Sequence, residues 1–221
     1  YGDWSSDVCS SDLTDDLFHS PNDISVKAEF SRIFCDAERF TDDKQEVMAQ
    51  FGMGVLYEKS DDGEAIRIVS QELRERILKE YYWKHHKKLS ETVSNQLEQN
   101  GKALIIDCHS FPSVPLKRSL DKNPYRPDFN IGTDSFHTSQ KLIQLSKNFF
   151  ETRGYKLGID WPYKGAIVPL EHYRKNKKVE SIMLEINRRL YLREPTNAKS
   201  NDYSKTKQVV IDFIQTMKSN F

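Results

Sequence analysis

The segment "GKALIIDCHSFPS", Gly101 to Ser113, decides how this chain is organised. Ala103 to Ile106 form a short apolar run, and such a run leaving a glycine reads as a buried strand. An acid, a thiol and an imidazole (Asp107, Cys108 and His109) then follow in consecutive positions. Side chains alternate across a strand, so Asp107 and His109 share one face and Cys108 points to the other, where packing is its simplest role.

Upstream, Leu73, Ile77, Leu78, Tyr81, His85, Leu89, Val93 and Leu97 recur at helical spacing after Ser70, and Gly101 is a natural stop. Gln71 and Glu72 suit a first helical turn, although Ser70 with Leu73 is not a full capping box. Downstream, Pro112 to Tyr125 is a 14-residue loop rich in Pro, Lys and Arg, a length that often carries function. A second helix, with Leu142, Ile143, Leu145, Phe149 and Phe150 on its apolar face, follows Thr138 or Ser139 and ends at Gly154. "YKLGID" (155–160) and "VESIMLEI" (179–186) read as strands, and a last helix covers about 204–219. Nearer the N-terminus, "SRIFCD" (31–36) and "GMGVLYEKS" (52–60) read as further strands, the latter followed by a turn at 61–63. Helices alternating with short apolar strands imply an α/β fold with a largely parallel sheet. Ligands of such sheets gather at the carboxyl ends of the strands, where Asp107 to Ser110 lie.

The chain has 221 residues, which implies one domain, and equal numbers of basic and acidic residues, 33 each. That balance gives no footprint for nucleic acid or an anionic membrane surface. No apolar run approaches the roughly 18 residues that span a bilayer. Three cysteines without metal-site spacing read as reduced thiols of a cytoplasmic protein.

Several residues are candidates for chemistry. His109 can bind a metal through one ring nitrogen while the other is oriented by a neighbour; a hydrogen-bonded His–Asp pair at a strand end fits the same spacing. Glu185 arrives at the end of an apolar strand, where a carboxylate is costly to desolvate. It is either a general base or the structural partner of Arg188 or Arg189. Arg39, Arg126 and Arg188 sit near strand ends and loops and offer the planar fork that binds carboxylates; each also fits a solvated surface position. His137, just ahead of a helix, either lies near the site or shapes its loop. His85 and His86 are adjacent on a helix, so they do not share a face on which to chelate one metal.

The ordered segments "CDAERF", "GMGVLY", "YYWKHH", "DCHSFPS", "RPDFNIGTDSFHTS", "PYKGAIVP" and "SIMLEINRRLYL" resemble the N-formylglutamate amidohydrolases, from about Thr14 to about Glu194. The resemblance implies a three-layer α/β/α fold similar to zinc-dependent carboxypeptidases and aspartoacylases. It implies metal-assisted hydrolysis of N-formylglutamate to formate and glutamate, at the end of one histidine-degradation route. By the same resemblance His109 matches a metal ligand, Glu185 the carboxylate that activates water, and Arg39 and Arg188 positions that meet substrate carboxylates, with Asn187 beside them. A divalent metal, zinc first, and a small acidic N-acyl amino acid are the implied cofactor and partner. The alternatives are a sibling hydrolase of another N-acyl amino acid or γ-glutamyl-type amide, and a non-catalytic binder of acidic metabolites.

One departure stands out. The family's opening strand with its "PHSG"-like motif has no counterpart here, and "YGDWSSDVCSSDL" (1–13) resembles translated sequencing-adaptor DNA, or else is a polar leader. The expectation is an amino-terminally truncated copy whose domain, 14–221, lacks its first strand. Asp16 matches an acidic position that could complete the metal site. A catalytic zinc usually takes three protein ligands, so weak metal binding is expected of this chain.

Overall fold

The computed structural model describes residues 13–221; the leader expectation for 1–13 falls, apart from Leu13, outside the described residues. The chain divides into two compact units. One comprises Ser25–Glu91 and Leu116–Leu120; the other comprises 13–24, Thr92–Pro115 and Asp121–Phe221.

The second unit holds the sheet. Its strands are β1 (Ala103–Phe111), β2 (Phe129–Gly132), β3 (Leu157–Ile159) and β4 (Val179–Asn187), in the spatial order β1-β4-β2-β3. β1 pairs with β4 and β2 with β3 in parallel, while β2 and β4 are antiparallel. The open sheet is thus mixed and mostly parallel, with flanking helices, as in a three-layer α/β/α fold. β4 is buried along almost its whole length, as expected of a strand covered on both faces. Ile182, Leu184 and Ile186 of β4 enter the main core with Phe129 and Ile131 of β2, and Leu104 and Ile106 of β1 pack against it. That core is closed by Leu142, Phe149 and Phe150 of α4 (Gln140–Glu151) and by Val210, Phe213, Ile214 and Met217 of α5 (Tyr203–Asn220). The Ser139 hydroxyl caps α4 by accepting from the Leu142 amide (3.3 Å), and Gly154 takes a left-handed φ of 78° just past it. A short helix, α1 (Thr14–Leu17), packs its buried Leu17 into the same core.

The first unit corrects two expected strands. Residues 31–36 form turns, with the Phe34 and Cys35 amides both bonded to the Ser31 carbonyl. Carbonyls that a strand would offer to a neighbour go instead to one guanidinium: Arg67 donates to Ile33, Phe34 and Tyr57. Residues 52–60 form a tight loop with isolated bridges, Met53 to Tyr57 and Lys59 to Ala65. Gly52 starts that loop at a left-handed φ of 74°, and its carbonyl accepts from both Glu58 and Lys59. The helix expected after Ser70 is present. It runs as α2 (Gln71–Ile77), one π-helical turn (Leu78–Tyr82) and α3 (Trp83–Asn100), capped by the Ser70 hydroxyl and closed by Gly101 at φ 71°.

Candidate active site

Strand pairing builds the site. His109 of β1 lies opposite Glu185 of β4, and Asn130 of β2 lies opposite Glu185 from the other side. Paired residues on neighbouring strands point to one face, so His109, Glu185 and Asn130 form a row across three strands. Asp107, Phe111, Met183 and Asn187 extend that face by two-residue steps. It is the face turned away from Ile182, Leu184 and Ile186.

His109 Nε2 stands 2.7 Å from Asp107 Oδ1, and the other Asp107 oxygen accepts from the Ile167 amide (3.0 Å). Asp107 is buried, so these bonds hold the imidazole to the strand and draw in the segment 161–169. Two further anchors tie that segment down. The Asn130 side chain donates to the Tyr163 carbonyl (2.9 Å) and accepts from the Trp161 amide (3.1 Å), while the Ser181 hydroxyl donates to the Ile167 carbonyl (2.8 Å). Gly132 makes the approach possible, because a side chain there would run into the Gly165 carbonyl and Met183. Glu185 sits mid-row and is buried.

The arginines fall in different settings. Arg126 is 4% exposed, with its guanidinium over the rings of Phe111 and Tyr163 at 5.7 and 5.6 Å. Arg188 donates from Nε to the Ser110 hydroxyl (3.2 Å). Asn187, fully buried, donates to the Pro127 carbonyl (2.9 Å) and accepts from the Arg189 amide (3.2 Å), which caps the turn Arg188–Leu190. Arg39 belongs to the first unit, where it pairs with Asp36 (3.4 Å) and Glu46 (3.3 Å). Asp16 projects from α1 to Lys207 (2.6 Å), Lys199 (3.3 Å) and the Tyr203 hydroxyl (2.6 Å). Hydrogen bonds from Lys207 first, then Tyr203 and Lys199, hold its carboxyl well below the usual carboxylate range.

The Cys108 thiol donates to the Ile106 carbonyl (3.2 Å), and burial, helped by the nearby Asp107 charge, pushes it far up, away from the thiolate a nucleophile needs. His137 is a fastener: Nδ1 donates to the Val179 carbonyl (2.7 Å) and Nε2 accepts from the Arg174 amide (2.8 Å). Asn130 and Tyr163 are the site residues that the sequence did not single out. The one available signal was a polar residue inside the apolar stretch "DFNIG".

The model of the family described as N-formylglutamate amidohydrolase matches residues 3–192. The chain belongs to that family. The matched region contains all four strands and ends before α5, so the polar row lies wholly inside it. Two curated relatives bear the name N-formylglutamate deformylase. The one from Pseudomonas putida is 27% identical over 175 residues, covering 76% of this chain and 64% of its own length. The one from Pseudomonas aeruginosa is 24% identical over 201 residues, covering 87% and 74%. The chain thus spans under two thirds of the Pseudomonas putida relative. Among solved structures, the N-formylglutamate amidohydrolase of Ralstonia eutropha JMP134 superposes with a TM-score of 0.72 at 21% identity, covering 86% of this chain and 74% of that one. A gene product of Agrobacterium tumefaciens superposes with a TM-score of 0.60 at 16% identity, covering 86% and 69%. Both likenesses establish the fold. No helix among the described residues is long and apolar enough to cross a membrane.

Proposed function

We propose that this chain hydrolyses the amide bond of N-formylglutamate to formate and glutamate with the help of a divalent metal, zinc first, as a cytoplasmic enzyme of histidine degradation. The observation that carries this reading is the row His109, Glu185 and Asn130 across the sheet face in a member of this family.

Asp107 and His109 fit a divalent metal. A carboxylate oxygen and an imidazole nitrogen converge to 2.7 Å, close to the roughly 3 Å between two ligands of one zinc, and both donor types suit that ion. When bound, the metal supplies Lewis-acid polarisation of the amide carbonyl and acidifies water. Glu185 takes a proton from the attacking water and returns it to the amide nitrogen, so that the amino acid leaves as the amine. The Ile167 amide, donating to the other Asp107 oxygen, fixes the direction in which this carboxylate faces His109. Arg126 and Arg188 hold substrate carboxylates, and Asn187 holds the turn from which Arg188 projects. Orientation of the scissile bond against Glu185 is the gain from those contacts. Arg39 and Asp16 are left in the ion pairs described above.

The test is release of the free amino acid from N-formylglutamate, N-acetylglutamate and N-formylaspartate with zinc in excess. N-formylglutamate turns over fastest, and Glu185→Gln lowers kcat by about a thousandfold or more with an unchanged circular dichroism spectrum. No formate from N-formylglutamate, or a Glu185→Gln variant as fast as the parent, overturns the reading.

A further inference from the structure

Residues 163–168 border the row, yet they make no main-chain to main-chain hydrogen bond among the described residues. Their main chain is bonded to side chains instead, in two places. Upstream, Asn130 accepts from the Trp161 amide (3.1 Å) and donates to the Tyr163 carbonyl (2.9 Å). Downstream, Ile167 is gripped through both its backbone groups: the amide donates to Asp107 (3.0 Å) and the carbonyl accepts from the Ser181 hydroxyl (2.8 Å). Gly165 stands between the two places, at a φ of 106°. A glycine transmits little torsional constraint, so the downstream grip, and not Asn130, sets the direction of the Ile167 amide. Ser181 is a fixed post for that grip. It is fully buried, its amide donates to the His137 carbonyl (2.9 Å), and its carbonyl accepts from the Thr138 hydroxyl (2.6 Å). It shares a face of β4 with Glu185, but four strand residues, about 13 Å, separate the two, so Ser181 stands off from the reacting groups.

We infer that Ser181 is a positioning residue for the metal site: through Ile167 it aims the Asp107 carboxylate, so that metal binding and the fastening of Ile167 reinforce each other. This rests on the proposed metal site at Asp107 and His109. The contacts are continuous. The Ser181 hydroxyl holds the Ile167 carbonyl, the Ile167 amide holds one Asp107 oxygen, and the other Asp107 oxygen stands 2.7 Å from His109 Nε2. A carboxylate turns about its last carbon–carbon bond, so an amide fixed on one oxygen decides where the other points. Without the hydroxyl, the Ile167 carbonyl is free to turn toward water, and the amide then turns away from Asp107. Such coupling is reciprocal: what the hydroxyl adds to metal affinity, bound metal returns to the bond between Asp107 and the Ile167 amide.

The probe is zinc itself, and neither readout is turnover. Calorimetric titrations of the full chain, carried to saturation, should give a zinc affinity about fivefold or more lower for Ser181→Ala than for the parent. The unmodified chain supplies a second readout that needs no variant to fold. Followed by nuclear magnetic resonance, zinc should slow hydrogen exchange of the Ile167 amide about fivefold or more, and leave the Trp161 amide, held by Asn130 on the far side of the glycine, within about twofold. A hydroxyl that only satisfies its neighbours in the core would produce neither effect. Equal zinc affinity of a folded Ser181→Ala chain, or an Ile167 amide that zinc slows no more than that of Trp161, would overturn the positioning role and leave the metal site standing. A parent chain that takes up no zinc would overturn the metal site, and this inference with it.

Discussion

Replacing His137 with leucine separates a fastener from a catalytic imidazole. The ring is 1% exposed and joins two distant backbone groups: it donates to the Val179 carbonyl (2.7 Å) and accepts from the Arg174 amide (2.8 Å). Leucine fills much of the volume and makes neither bond. Val179 is fully buried, so its carbonyl loses a partner that water cannot replace, at about 1–3 kcal/mol. Arg174 is exposed, so water takes over its amide and the net loss there is about 0.5–1.5 kcal/mol. Arg174 also holds a left-handed φ of 55°, which a non-glycine residue keeps only when its surroundings require it. Together these give a destabilisation of about 2–4 kcal/mol, a large part of the 5–15 kcal/mol typical of a folded domain. In a urea titration followed by tryptophan fluorescence, the midpoint should fall by about 1 M or more at ordinary m-values. A midpoint within about 0.3 M of the parent, with turnover lost, would refute the structural assignment and return His137 to the chemistry.

Other outcomes follow from the same bonds. Asp36, buried in the first unit, would be raised by burial, but the charges of Arg32 (3.0 Å) and Arg39 (3.4 Å) hold its carboxyl below the ordinary range. Asp36→Asn should cost about 3 kcal/mol or more in urea unfolding, since it leaves those cations without their shared anion; a loss under about 1 kcal/mol would contradict this. Asp16 is likewise ionised in the folded state at a pH where the unfolded carboxyl is protonated. Its contribution is therefore complete above the unfolded value, about pH 4, and is lost on further acidification. The difference in thermal midpoint between the parent and Asp16→Asn should be constant near neutrality and shrink below about pH 4; a difference that grows on acidification would reverse the sign. Zinc titrations should show an affinity loss of about a hundredfold or more for His109→Ala and for Asp107→Asn, the two residues proposed to hold the metal. Unchanged affinity in both would remove the pair from the metal site, and tight one-to-one zinc in the parent would sink the weak binding expected from the sequence.

Local features were legible in the sequence. Alternation across a strand put Asp107 and His109 on one face, and caps and glycines bounded the helices from Ser70 to Gly101 and from Ser139 to Gly154. What failed depended on distant groups. Apolar character at Ile33 and Phe34 suggested a strand, but Arg67 bonds to the carbonyls of both. β2 escaped notice because it has four residues, one of them a buried asparagine whose partners lie in the 161–163 segment. The resemblance sets Asn187 beside the substrate-facing arginines, and the structure adds that its amide group is engaged by Pro127 and Arg189.

The row that carries the proposed chemistry depends on register, and register depends on the other face of the same strands. β4 is shared by β1 and β2, and its side chains alternate between core and site. Slipping β4 by one residue would turn Ile182, Leu184 and Ile186 out of the core and send Glu185 in among Phe129, Ile131 and Leu142. Burying three aliphatic side chains is worth several kcal/mol, and burying a carboxylate among them is strongly unfavourable, so the slipped pairing is not competitive. The same aliphatic residues that stabilise the sheet therefore set Glu185 beside His109 and Asn130. The segment 161–169 is then fastened to polar atoms of that face, at Asp107, Asn130 and Ser181. Core packing thus fixes which side chains reach the site, and the polar anchors fix what covers them.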